Sequence, residues 1–129
     1  MSTARLTRSQ RMAANAFRQV HGRSNKEARS FARSFPSLIH TGGLCQAIAY
    51  AGTKDLIGTW YLDALATILR ELGHSGCADR RQLAATVYGM PMVEYVRLSR
   101  DALEVANYLK RFHDAEAADE KSSDKGERS

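Results

Sequence analysis

His40, Cys45, His74 and Cys77 are the only residues of zinc-binding type that fall near one another in a sequence of 129 residues. His74 and Cys77 have a passable ligand spacing, but His40 and Cys45 form no second close pair, and tetrahedral zinc needs four convergent nitrogen or sulfur ligands. The histidines therefore read as loop or packing residues and the cysteines as core thiols, and no metal is expected. Nucleophilic catalysis lacks its signatures too, since neither G-x-S-x-G nor a paired Cys/His motif occurs. The body's carboxylates, Glu27, Asp55, Asp63, Glu71, Asp79, Glu94, Asp101 and Glu104, look scattered as caps and solvent-face partners and do not seed a two-metal centre. The expectation is a protein without cofactor that is not an enzyme.

Anion chemistry is better represented. Residues 1 to 40 carry seven arginines and Lys26 against Glu27 alone, a local excess of +7 in a chain of net charge +5. The last sixteen residues, DAEAADEKSSDKGERS, hold six acids and three bases, so the remaining body has sixteen bases against eight acids, or +8. This asymmetry points to a polyanionic partner, nucleic acid before membrane. Arginine in preference to lysine suits forked phosphate contacts and stacking on bases. The competing reading of such strips is a solvated face.

The stretch FPSLIHTGGLCQAIAYAG, residues 35 to 52, interrupts an apolar helical run with Pro36 and the pair Gly42-Gly43. A glycine-rich turn opening a helix can bind phosphate, but neither G-x-x-x-x-G-K-[ST] nor G-x-G-x-x-G is present. The simpler reading is a corner, with Pro36 kinking or restarting the helix and Gly42 supplying a left-handed residue.

Helical periodicity runs through the rest of the chain, and no segment alternates with period two. A first helix sets Leu6, Ala13, Phe17 and Val20 on one stripe and Arg8, Arg11 and Arg18 on the other. A second, capped by Ser24 or Asn25, turns Ala28, Phe31 and Phe35 inward and Lys26, Arg29 and Arg33 outward. A third, small-residue helix ends at Gly52. The fourth, capped by Thr53 or Asp55 and carrying Trp60, Leu62, Leu65, Ile68 and Leu69, is the most apolar and belongs at the centre. Asp79 caps a short fifth helix, a brief helix surrounds Pro91, and Ser99 caps a final one through Ala117. The sum is an all-α bundle of about six helices over residues 1–113, followed at 114–129 by the end of the last helix and a charged tail with nothing to bury. Two unpaired cysteines suit a reducing compartment. The amino terminus lacks the apolar core of a secretory signal; its arginine-rich character would also suit a mitochondrial presequence, against which its integration into the fold argues. A cytoplasmic location is expected.

The segment DRRQLAATVYGMPMVEYVRLSR, with a short helix, a glycine-containing turn and a second apolar helix, offers one alternative, a small helix-turn-helix DNA-binding regulator. Its second helix supplies few base-reading side chains. A partner-binding adaptor without nucleic acid is a further alternative.

Two blocks, FPSLIHTGGLCQAIAYAG and EYVRLSRDALEVANYLKRFHDA, carry Pro36, Leu38, Ile39, Gly43, Leu44, Gln46, Ala47, Ala49 and Tyr50, then, beyond Trp60, Tyr95, Leu98, Ser99, Leu109, Lys110 and Arg111. In this order the chain resembles, over about residues 5 to 115, the small all-helical subunit of the type III-B CRISPR effector, the fifth Cmr protein. The resemblance implies a non-catalytic subunit that stacks in several copies beside the guide-RNA-bearing backbone, alongside other Cmr subunits, and lends a basic groove to guide and target RNA in antiviral defence. Cys45, the early end of the Ala-rich helix at Gly52 and the acidic tail depart from the family pattern. Face assignment nominates Arg8, Arg11, Arg18, Lys26, Arg29 and Arg33 for RNA phosphates and Lys110 with Arg111 for RNA or subunit contacts.

Overall fold

Helix starts are written locally in this chain, and most of them form where a short polar side chain can take an unpaired backbone N–H. In the computed structural model, which describes residues 5–127 and side chains through residue 122, α1 spans Arg8–Val20. It opens on a reciprocal capping box in which Thr7 Oγ1 accepts from the Gln10 N–H at 3.1 Å and Gln10 Oε1 from the Thr7 N–H at 2.8 Å. Asn25 caps α2, Lys26–Gly52, through the Ala28 N–H at 2.8 Å, and Asp79 caps α4, Arg80–Gly89, through the Gln82 N–H at 2.8 Å. The third helix, α3, spans Asp55–Glu71 and has no side-chain cap, so neither Thr53 nor Asp55 plays that part.

The last helix, α5, runs from Met92 to Glu127. Pro91 stands just before its first residue, where a missing N–H costs nothing, and its carbonyl accepts the Tyr95 N–H at 2.9 Å. The brief helix around Pro91 and the final helix are therefore one, Ser99 lies inside it, and the helix continues past Ala117, where periodicity places its end. Residues 128 and 129 of the expected tail, like Met1–Ala4, lie outside the described residues. Among the described residues there are five helices and no strand, an all-α fold with one helix fewer than the sequence suggests.

That count depends on the stretch at residues 35 to 52. Pro36 is buried inside α2 without ending it; the break comes at Gly43, which has φ 86° and ψ 165°. Only glycine occupies that region cheaply. The helix restarting at Leu44 has free N–H groups, and one of them, on Cys45, donates to the Tyr95 hydroxyl of α5 at 3.3 Å. The interruption thus turns a corner whose exposed N–H is taken by a side chain from across the bundle. Replacing Gly43 with valine is expected to cost about 2 kcal/mol, because valine is strained at this φ and its Cβ would lie 3.3 Å from Tyr95 Oη. Chemical denaturation of the two proteins checks it, and equal midpoints would overturn this account of the corner.

As its composition suggests, α3 is central: Tyr61, Leu62, Leu65, Ile68 and Leu69 are buried, each such large apolar side chain contributing about 1.5–3 kcal/mol. Tyr61 meets Phe35 at 4.5 Å and Phe31 at 5.1 Å between ring centroids, which locks α2 to α3. The inward face of α1 differs from the expected one. It consists of Met12, Asn15, Ala16 and Val20, while Leu6 and Phe17 are about half exposed. Phe17 lies edge-on to Phe112 at 5.7 Å. This rotation brings Arg8 to the α5 side of α1 and leaves Arg11 and Arg18 in solvent.

Candidate nucleic-acid interface

The arginine strips do not stand alone, because α5 brings a row of carboxylates to them. Arg8 pairs with Asp101, and its Nη1 lies 3.6 Å from Glu104 Oε2. Arg29 Nη2 lies 2.6 Å from Glu120 Oε1, Arg33 Nη2 3.3 Å from Asp114 Oδ1, and His21 Nδ1 3.2 Å from Glu116 Oε1. Arg18 donates to the side-chain oxygen of buried Asn15. Arg11 and Lys26 are exposed and make no side-chain hydrogen bond or ion pair among the described residues. Of the six residues nominated for phosphates, Arg29 is therefore not outward as expected: its side chain is only 13 % exposed. Lys110 is half-buried, and exposed Arg111 shares a shallow surface with Glu104, Asn107 and Tyr108.

Two of these groups are held at structural junctions. Asp101 accepts from His74 Nε2 at 2.5 Å as well as from Arg8, tying α1, α5 and the α3–α4 loop together. Burial would raise the Asp101 carboxyl, but the hydrogen bonds from His74 and Arg8 outweigh it and hold the group below the usual aspartate value. At the other end, Arg29 Nε donates to Ser24 Oγ at 2.9 Å, and Ser24 Oγ lies 2.9 Å from Nδ1 of buried His113. The serine oxygen, with two lone pairs and one proton, thereby links the guanidinium to the imidazole. The His113 ring stands edge-on to Trp60 at 5.8 Å, and its Nε2 is buried with no hydrogen-bond partner among the described residues. Burial, then the nearby Arg29 charge, lowers the His113 pKa to about 4, while Asp114 and Glu116 act in the opposite sense.

The zinc-type residues are not brought together. His40 is exposed, His74 is engaged by Asp101, and Cys77 is buried with its thiol pKa pushed up by desolvation. Among the described residues no group of three His, Cys, Asp or Glu could hold a metal ion. No helix among them is long and apolar enough to cross a membrane. In the helix-turn-helix candidate, the second helix is the 36-residue α5, whose first exposed positions are Met92, Val93, Glu94, Val96 and Arg97; three of the five are apolar and poor readers of base edges.

Sequence reasoning did not find the partners of the arginines. Asp101 and Glu104 at i, i+3, and Glu116 and Glu120 at i, i+4, are spaced to lie on common helix faces, and that spacing was the available signal. It shows a charged stripe but not which helix the stripe would meet.

The family model described as CRISPR-associated protein (Cas_Cmr5) matches residues 8–116. The chain is 33% identical over 113 residues to the CRISPR system Cmr subunit Cmr5 of Thermus thermophilus, covering 84% of this chain and 95% of that protein. The crystal structure of a CRISPR-associated Cmr5 family protein from the same species superposes with a TM-score of 0.75 at 31% identity, over 86% of this chain and 97% of the other.

Proposed function

The chain belongs to the Cas_Cmr5 family, and from that premise we propose that it is a non-catalytic structural subunit of a type III-B CRISPR RNA-guided effector, the Cmr complex. The observation that carries this reading is the family match along residues 8–116, nearly the whole described body. In the complex the subunit stacks in more than one copy beside the backbone, contacts other Cmr subunits, and works in the cytoplasm on guide and target RNA. Arg11, Arg18 and Lys26 are the contacts most open to phosphate, since each is exposed and none is paired with a carboxylate among the described residues. Arg8 serves chiefly the junction of α1 with α5, and Lys110 with Arg111 extends the basic surface along α5.

The test is recovery of the tagged protein from its native host, with co-purifying proteins identified by mass and co-purifying RNA by sequencing in one preparation. Large Cmr subunits together with a repeat-derived guide RNA are the expected result. A lone protein, or one arriving with an operator DNA and no guide, would overturn the reading and favour the helix-turn-helix segment in α4 and α5.

A further inference from the structure

We propose that the end of α5 beyond His113 is an internal polyanion that covers Arg29, pairs with Arg33, and is exchanged for RNA phosphates when the subunit binds. This device rests on the RNA-contacting role proposed above and adds a regulation of that surface.

Three observations carry it. First, the apolar anchoring of α5 stops at His113: Leu98, Ala102, Val105, Ala106, Leu109 and His113 are all buried, whereas no residue from 114 to 122 is. Second, what remains to hold this segment runs through its acids: Asp114 to Arg33, Glu120 to Arg29, and Glu116 to the His21 ring. The three acids fall within two turns of one helix and meet Arg33, His21 and Arg29 around the α1–α2 corner. Third, the acids at these pairs stand at or near the surface, and the Arg33–Asp114 pair is exposed on both sides, so such pairs are weak and screened by salt and the segment can be released without opening the core.

A carboxylate and a phosphate oxygen compete for the same guanidinium N–H groups, in the same forked geometry. The result is a division among the arginines. Arg8 is held by Asp101, which lies in the buried part of α5 and is engaged by His74 as well, so RNA does not displace that pair. Arg29, only 13 % exposed, becomes available as the end of α5 leaves, and Arg33, already exposed, is freed of its carboxylate partner. Binding there releases a protein carboxylate in place of part of the counterion atmosphere, which flattens the salt dependence in the unmodified chain.

Two full-length variants of equal charge separate this device from general electrostatics. D114N/E116Q/E120Q removes the covering acids, whereas E71Q/E94Q/D119N removes three exposed acids that pair with nothing among the described residues. Each is compared with the unmodified chain for hydrogen exchange over residues 114–122 in rising NaCl without RNA, and for binding of a short oligouridylate. The covering variant is expected to exchange faster than both other proteins at low salt, while salt alone brings the unmodified chain up to it. It is also expected to bind the oligouridylate roughly tenfold more tightly than the control variant, with a salt dependence steeper by about 0.7 for each freed arginine.

Exchange indifferent to both salt and neutralisation would overturn the electrostatic cover whatever happens with RNA. Equal affinity of the two variants would overturn the competition while leaving the RNA reading standing. A segment that is released by salt in proteins that all fail to bind the oligouridylate would overturn the coupling of this release to RNA and count against the RNA-contacting role itself.

Discussion

Replacing Gly58 with alanine is expected to destabilise the protein by about 3 kcal/mol, lowering the melting temperature by about 10 °C. Gly58 is buried in the first turn of α3, directly against the end of α2. A Cβ built there would stand 1.9 Å from the Ala51 carbonyl oxygen and 2.9 Å from its carbon. Both atoms are backbone, so no rotamer can give way, and the two helix ends would have to part. Alanine would favour the helix by about 1 kcal/mol, so the sign of the result tells which effect wins. The overlap is deep enough to decide it. Gly52→Ala is the control, because nothing lies within 4 Å of that Cβ; it is expected to be neutral or to stabilise by about 0.5 kcal/mol. A Gly58→Ala protein melting at or above the unmodified temperature would show that α2 and α3 do not approach here.

This close approach illustrates what the sequence does and does not carry. The small-residue helix ending at Gly52 suggests close packing, but nothing local distinguishes Gly58, where contact forbids a side chain, from Gly52, where it does not. The caps at Asn25 and Asp79 were legible because each acts within three residues of itself; Thr7 acts the same way but belongs to no cap read from the sequence. Helix ends were less so. Pro91 and Ser99 are both good start signals, and the chain uses the first, leaving the Ser99 hydroxyl buried without a partner inside α5. Pro36 and Gly43 compete as breakers in the same way; the helix tolerates the proline and breaks at the glycine because Tyr95 can serve the N–H of Cys45.

The arginine faces follow the same rule. On α1, Asn15 is buried because its side chain bonds the Arg11 carbonyl at 2.9 Å and accepts from Arg18, which lets the inward stripe fall on Met12 and Ala16 instead of Phe17. A hydrophobicity pattern scores Asn as solvent-facing and so places the stripe on the wrong side. Once α1 is turned, Arg8 reaches Asp101. Net charge and its asymmetry are readable from composition, and they led to the basic surface; the pairing that neutralises part of it depends on which helix lies beside which, a property of the packed core. The resemblance of residues 35–52 and 94–115 to a known family needed no such knowledge, because it depended on the order of packing residues along the chain.

His113 is where this packing should leave its largest mark on solution behaviour. Its ordinary pKa of 6.5 falls to about 4 in the folded protein, so between these values the unfolded chain binds a proton that the native chain refuses. Stability must then rise with pH across the window and be lost as pH falls from about 6.5 to about 4, by about 3 kcal/mol in all. The cause is burial first and Arg29 second, opposed by Asp114 and Glu116. The lowered Asp101 carboxyl acts at more acid pH, since its contribution is present above the unfolded aspartate value and is lost as pH falls through its lower folded value. The acid limb should therefore have two stages. His113→Gln keeps a polar partner for the Ser24 hydroxyl but cannot titrate, so it is expected to flatten the first stage and spare the second. Urea midpoints measured down this pH range in both proteins decide the matter. Coincident profiles would mean that the imidazole is not held neutral by its burial and the nearby Arg29 charge.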